Sequence, residues 1–193
     1  MPKIKKPLRI VQNGKPLSSY EEIHFYEWLT ELKRAFPAQI DFVVKPEPIR
    51  ILEAQKVEYN TQLKTKVRRD SKSICRAMDY EPDFGIRCHT DEIWELLGGI
   101  FDKSFATDYC KASRTYLIDT KGMFERGKKN DSAITFPLKQ KFLYHEKGIY
   151  VEKVQPQKLF LSTFCPVKCR RVRKWQKGKK KKGTPPIYLG NIC

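Results

Sequence analysis

The chain has 193 residues, 40% hydrophobic and 32% charged, which is material for one packed core with an appendage and too little for two large domains. No stretch approaches the roughly 18 uninterrupted apolar residues of a membrane span, and the basic residues 1–7 lead into no apolar segment of signal-peptide length, so an intracellular, cytoplasmic protein without a membrane partner is expected. The net charge of +17 makes a polyanion the expected partner.

That charge is unevenly spread. Residues 165–193 hold ten of the 39 basic residues and none of the 22 acidic ones, which leaves 29 basic residues against 22 acidic ones in residues 1–164. We therefore expect a folded domain over residues 1–164 and a basic C-terminal tail over 165–193, with Lys168, Arg170, Arg171, Arg173 and Lys174 as candidate nucleic-acid contacts. Six cysteines are present, and an intracellular setting keeps them as thiols. Cys165 and Cys169 have near-ligand spacing for zinc, with Cys88 and His89 as completing partners, but one loose pair is equally the pattern of ordinary reduced cysteines.

In chain order, residues 19–36 predict an amphipathic helix, with Phe25, Trp28, Leu29 and Leu32 along its apolar face. Overlapping capping boxes, Ser18 with Glu21 and Ser19 with Glu22, start it, and Pro37 ends it. Residues 40–45 and 49–53 predict strands, punctuated by Pro46 and Pro48. Residues 54–73 are polar and basic, and predict a hairpin excursion or a loop. With Lys64, Lys66, Arg68 and Arg69 they form a candidate DNA-grasping arm, the other reading being a segment disordered in the absence of DNA. An extended pattern resumes over 75–84, and residues 85–113 read as an insertion with a short helix near 91–101.

Tyr116-Leu117-Ile118 is the short apolar run of a strand buried on both faces. Pro137 suits the first turn of a helix reaching Lys147, with Leu138, Lys141, Phe142 and His145 on one stripe. Residues 149–151 and 159–161 predict two final strands. Helix, strands, helix, strands make an α/β protein with a central mixed sheet flanked by helices.

The chemistry concentrates at two strings. In Asp119-Thr120-Lys121, at the end of the buried strand, the alternation of a strand puts Asp119 and Lys121 on one face. A carboxylate and an ammonium there must be paired, exposed at the strand end, or bound to a metal. In Tyr80-Glu81-Pro82-Asp83-Phe84, Pro82 fixes the backbone before an acid at a strand boundary. If the two strands are neighbours, Asp83 and Asp119 converge beside Lys121, and such oxygen ligands suit Mg²⁺ or Mn²⁺. His24, His89 and His145 stand in no arrangement with a Ser or Cys nucleophile and read as structural.

At Pro82-Asp83 and Asp119-Thr120-Lys121 the sequence resembles the PD-(D/E)xK nuclease superfamily, whose fold is that of restriction endonucleases. The strings around them look like those of phage-type endonucleases, Holliday-junction resolving enzymes and TnsA-like endonucleases. The resemblance covers residues 18–154 in element order, with 85–113 as an insertion and the tail outside the family core. It implies a metal-dependent DNA endonuclease of phage-type recombination or processing, acting in a bacterial cytoplasm if phage-encoded. A homodimer is compatible with cutting two strands.

The resemblance also implies roles for single residues. Asp83, Asp119 and the Thr120 carbonyl would hold Mg²⁺ or Mn²⁺, Lys121 would orient and help deprotonate the attacking water, and Glu22, with Glu21 as its rival, would complete the metal cluster. Lys139 and Lys141 on the following helix, and Lys128 and Lys129 in the loop before it, are candidate phosphate contacts whose plainer reading is a solvated face. The alternative function is a non-catalytic nucleic-acid-binding protein that keeps this fold as a scaffold. A ribosomal or RNA-packaging role would rest on the charge alone.

Overall fold

A computed structural model describes residues 14–101, 107–122 and 131–169. Helix α1 (Tyr20–Ala35) begins at Ser19, whose hydroxyl accepts from the Glu22 N–H, and it carries acids in its first turn and Lys33 and Arg34 in its last, each complementing the helix dipole. Strands β1 (Ile40–Val44), β2 (Ile49–Leu52), β3 (Gln55–Gln62), β4 (Val67–Cys75), β5 (Met78–Tyr80) and β6 (Phe84–Cys88) follow. Next come α2 (Asp91–Gly98), α3 (Asp108–Ser113), β7 (Thr115–Thr120), α4 (Asp131–Lys147), β8 (Val151–Val154) and α5 (Pro156–Ser162), and a single 3₁₀ turn, Val167–Cys169.

The central sheet has the order β1-β6-β7-β8, antiparallel except for the parallel β7–β8 pair. Two further antiparallel pairs, β2–β5 and β3–β4, stand outside it. Strand β7 is buried on both faces because the sheet is covered twice. Tyr116 and Ile118 enter one core with Phe25, Trp28, Leu29 and Phe84, while Leu117 enters a second with Leu143, Phe136, Ile51 and Tyr80. Helix α1 thus covers one face, and α4 with the β2–β5 ribbon covers the other. Aromatic rings join the first core: Phe25 meets Phe84 edge-on at 5.0 Å between centroids, and the buried Trp28 donates its indole N–H to Thr163 at 3.0 Å.

Several sequence expectations are corrected. Residues 159–161 are helical, not a strand. Pro156 sits in the first turn of α5, and Leu159 and Phe160 are buried while Leu161 is 75% exposed, an arc that helical periodicity produces and strand alternation does not. Helix α4 starts at Asp131, with Pro137 inside it rather than at its start. Over residues 135–147 its buried positions are Phe136 and Leu143, whereas Leu138, Lys141, Phe142 and His145, the expected stripe, face solvent.

The expected insertion, 85–113, does not begin at Gly85. Residues 84–88 form β6, a central strand, so the departure from the sheet starts after Cys88. The body also continues past residue 164: Cys169 is buried in the first core, Val167 donates its N–H to Glu31 at 2.7 Å, and Lys168 pairs with the buried Glu27 at 3.0 Å. Among the described residues, no helix is long and apolar enough to cross a membrane.

Candidate active site at the β6–β7 strand ends

Asp83 lies immediately before β6. Its N–H donates to the Ile118 carbonyl at 2.9 Å and its carbonyl accepts from the Lys45 N–H at 2.8 Å, so the backbone is tied to both neighbouring strands. The Phe84–Ile118 register then sets Asp83 opposite the end of β7. There Asp83 Oδ2 accepts from the Thr120 N–H and the Thr120 hydroxyl, each at 2.8 Å, while its carboxyl lies within hydrogen-bonding reach of Asp119. Burial first, then the charges of Asp119 and Glu22, push the Asp83 carboxyl up from 3.8 to about 7, against the opposing Thr120 N–H.

Asp119 is oriented from two sides. The Tyr80 hydroxyl donates to its Oδ2 at 2.8 Å, and Lys121 Nζ bonds to its Oδ1. Asp119 and Lys121 therefore share a face, as strand alternation requires, and Lys121 Nζ lies 5.4 Å from the centre of the Phe136 ring. Burial and the adjoining Asp119 charge raise the Tyr80 phenol, which stays a donor. Asp119 and Lys121 open into a cleft of about 360 Å³ lined also by Asp79, Tyr80, Glu81, Phe136 and Lys139. Lys139 is the α4 lysine that reaches this cleft, its Nζ 3.3 Å from the Asp79 carbonyl. Lys141, two positions on, lies on the exposed side of the helix.

The helix acids divide. Glu22 is buried and near enough to act on Asp83 by charge, but its carboxylate is already engaged by the Ser18 N–H at 2.8 Å, the Ser18 hydroxyl, and Lys45 Nζ at 3.6 Å. Glu21 lies against Gly122, its carboxylate close to the Cα of that glycine. Among the described residues, no three His, Cys, Asp or Glu side chains group into a metal centre. Glu22 thus stands near Asp83, where it contributes negative charge, and Lys45 pairs with it.

The oxygen donors that the fold brings together are the Asp83 and Asp119 carboxylates, with Glu22 near Asp83. Hard oxygen donors from two adjoining carboxylates suit a small divalent cation that keeps most of its waters; the Asp83 carboxyl is raised first by burial and then by the charges of Asp119 and Glu22. The arrangement fits Mg²⁺ or Mn²⁺.

Sequence reasoning missed Lys45 and Tyr80 as site residues. Lys45 adopts a left-handed φ of 48°, held by the Asp83 carbonyl on its N–H and by Lys15 Nζ on its carbonyl at 2.7 Å, and this aims its ammonium at Glu22. No sequence pattern signals such a conformation before a proline. Tyr80 was visible in the Tyr80–Phe84 string, but its hydroxyl acquires a role only through the β2–β5 pairing.

Lys168 is the counter-ion of Glu27, which corrects its expected place in the basic tail. Lys128, Lys129, Arg170, Arg171, Arg173 and Lys174 lie outside the described residues. Cys169 is packed in the first core with Cys165 against it, and burial pushes the Cys88 thiol up to about 12. No family model, curated protein or solved structure matches the chain.

Proposed function

We propose that the chain is a metal-dependent DNA endonuclease with a restriction-endonuclease-like core, resembling the PD-(D/E)xK superfamily and, within it, phage-type enzymes of DNA recombination or processing. One observation carries the reading. Two carboxylates from the ends of adjacent strands, Asp83 and Asp119, adjoin in a mostly buried setting with Lys121 bonded beside them at the mouth of an open cleft. A protein that only binds nucleic acid has no use for adjoining buried acids, which repel each other and the phosphates.

Asp83, Asp119 and the Thr120 carbonyl would hold Mg²⁺ or Mn²⁺, and the ion would supply positive charge at the scissile phosphate and acidify a water. The chain's own groups do the rest. Tyr80 and Lys121 fix the rotation of Asp119 from its two oxygens. Lys121 Nζ, with Phe136 against it, is placed to orient the attacking water. Lys139, at the cleft wall, contacts the phosphate backbone. In-line attack leaves 5′-phosphate and 3′-hydroxyl ends.

The test is incubation of the full chain with supercoiled plasmid, linear duplex, single-stranded and four-way-junction DNA, with Mg²⁺, Mn²⁺ or EDTA, beside Asp119→Ala. We expect metal-dependent cutting that falls about 10³-fold or more in the variant, since several kcal/mol of transition-state charge stabilisation is lost. Equal cutting by both proteins would overturn the site, and tight binding without cutting under every condition would overturn the activity.

A further inference from the structure

Strands β3 and β4 form a two-stranded ribbon that lies outside the central sheet, closed by a tip in which the Leu63 N–H donates to the Lys66 carbonyl at 2.9 Å. Its base is the β2–β5 pair, clamped by Arg50 against Asp79 and Glu53, and Tyr80 at the end of β5 bonds directly to Asp119. Eight residues of strand extend roughly 26 Å from that base at about 3.3 Å per residue. The ribbon is thus an arm rooted beside the proposed cutting site.

Its two faces differ. Cross-strand partners share a face, so the pairs Lys56–Ser73, Glu58–Ser71, Asn60–Arg69 and Gln62–Val67 make one face, of donors and acceptors except for Val67 near the tip. Val57, Tyr59 and Thr61, opposite Lys72, Asp70 and Arg68, make the other. Over residues 55–75 six basic residues stand against two acidic ones. The two acids are taken by Arg68 and Arg69, and among the described residues Lys56, Lys64, Lys66 and Lys72 enter no ion pair. The Arg69–Glu58 pair is 79% and 63% exposed, so little opposes exchanging it for another partner. The apolar groups of the second face are broken up by three charged residues, which does not suit a second copy of the chain.

We propose that the β3–β4 ribbon enters the major groove of duplex DNA with its Asn60, Gln62 and Arg69 face against the base edges, while Lys64 and Lys66 at the tip contact phosphates. The groove is about 12 Å wide and admits a two-stranded ribbon; arginine suits guanine, asparagine and glutamine suit adenine, and Glu58 can accept from cytosine. The A-form major groove of RNA is too deep and narrow for it. The inference rests on DNA being the substrate of the proposed endonuclease. It adds that recognition is displaced from cutting by less than one helical turn, because the arm is shorter than the roughly 34 Å that a turn spans.

The test uses the full chain in EDTA, so that binding is read without cutting. Selection from a random duplex pool should return a consensus. In anisotropy titrations of that site across salt, Lys64→Ala with Lys66→Ala should lower affinity for all sequences and reduce the salt slope by about 2. Asn60→Ala or Arg69→Ala should relax preference at one or two base pairs by about tenfold. No consensus, an unchanged slope and preference, equal binding to RNA duplex of the same sequence, or variants that shift the sedimentation mass instead would each overturn the ribbon's role. Cutting is read separately with Mg²⁺. Metal-dependent cutting with unaltered binding by the ribbon variants removes this inference alone, and ribbon effects without any cutting remove the nuclease reading alone.

Discussion

Strands β6 and β7 and strands β3 and β4 are both antiparallel pairs, yet their surroundings are opposite. In β6–β7, helices and a second ribbon cover the sheet, and Phe84, Ile86, Tyr116 and Ile118 are buried completely. In β3–β4 each strand packs mainly on its partner, and Val57 and Tyr59 remain 49% and 48% exposed. Burial is what gives Asp83 its character, since desolvation and the neighbouring acids raise a carboxyl that water cannot screen. Exposure gives the ribbon's charges the contrary property: they are weakly committed to one another and available to a partner.

Substitutions can break or sharpen this contrast. The largest change in stability is expected from Phe84→Ala, which leaves a cavity against Phe25 and costs about 3–5 kcal/mol in denaturant unfolding. A cost below about 1 kcal/mol would mean that β6 is not a core strand. Asp83 comes next. With its carboxyl raised from 3.8 to about 7 in the folded chain, the native state binds more protons than the unfolded one between those values. Without metal, stability is therefore greatest below about pH 4 as far as this group is concerned, and falls as pH rises through 7, at up to about 1.4 kcal/mol per unit. Unfolding in EDTA from pH 5 to 8 should show that decline, Asp83→Asn should flatten it, and Mg²⁺ should restore stability at pH 8.

Tyr80→Phe removes a single hydroxyl from Asp119 and should lower turnover about 10- to 100-fold, with a modest loss of melting temperature. Turnover unchanged by that substitution would show that Asp119 needs no orientation from the ribbon base. The smallest effect is expected at Tyr59→Ala, within about 0.5 kcal/mol, because the ring packs on no covered surface. A cost of several kcal/mol there would show that the ribbon is part of the folded core.

Elements whose signal is local were legible in the sequence. Helix α1 declared itself through the Ser19 cap, its apolar face and Pro37, and β7 through a short apolar run ending at charged residues. Residues 159–161 were misread because three apolar residues carry no period that separates a strand from a helix turn. On α4, the apolar stripe through Leu138 and Phe142 turned out to face solvent, since the covered surface is selected by what the helix meets. Gly85 to Cys88 were read as an insertion because nothing local reveals that a strand lies between β1 and β7. At the candidate site, Asp83, Asp119 and Lys121, which the fold brings together, stood out by their spacing and strand-end context, whereas the contacts of Lys45 and of the Tyr80 hydroxyl did not.

By itself the sequence determined the start of α1, several of the strands, the charge distribution and the three side chains around which the proposed site is built, because capping, alternation and composition act over a few residues. Tertiary structure decided that β6 joins β7, that Glu22 is engaged by Ser18 and Lys45, that Lys168 neutralises Glu27, and that Lys139 rather than Lys141 reaches the cleft. These depend on groups that are distant in the chain and on how much water each loses. Desolvation and pairing are properties of the packed molecule, and no short stretch of sequence contains them.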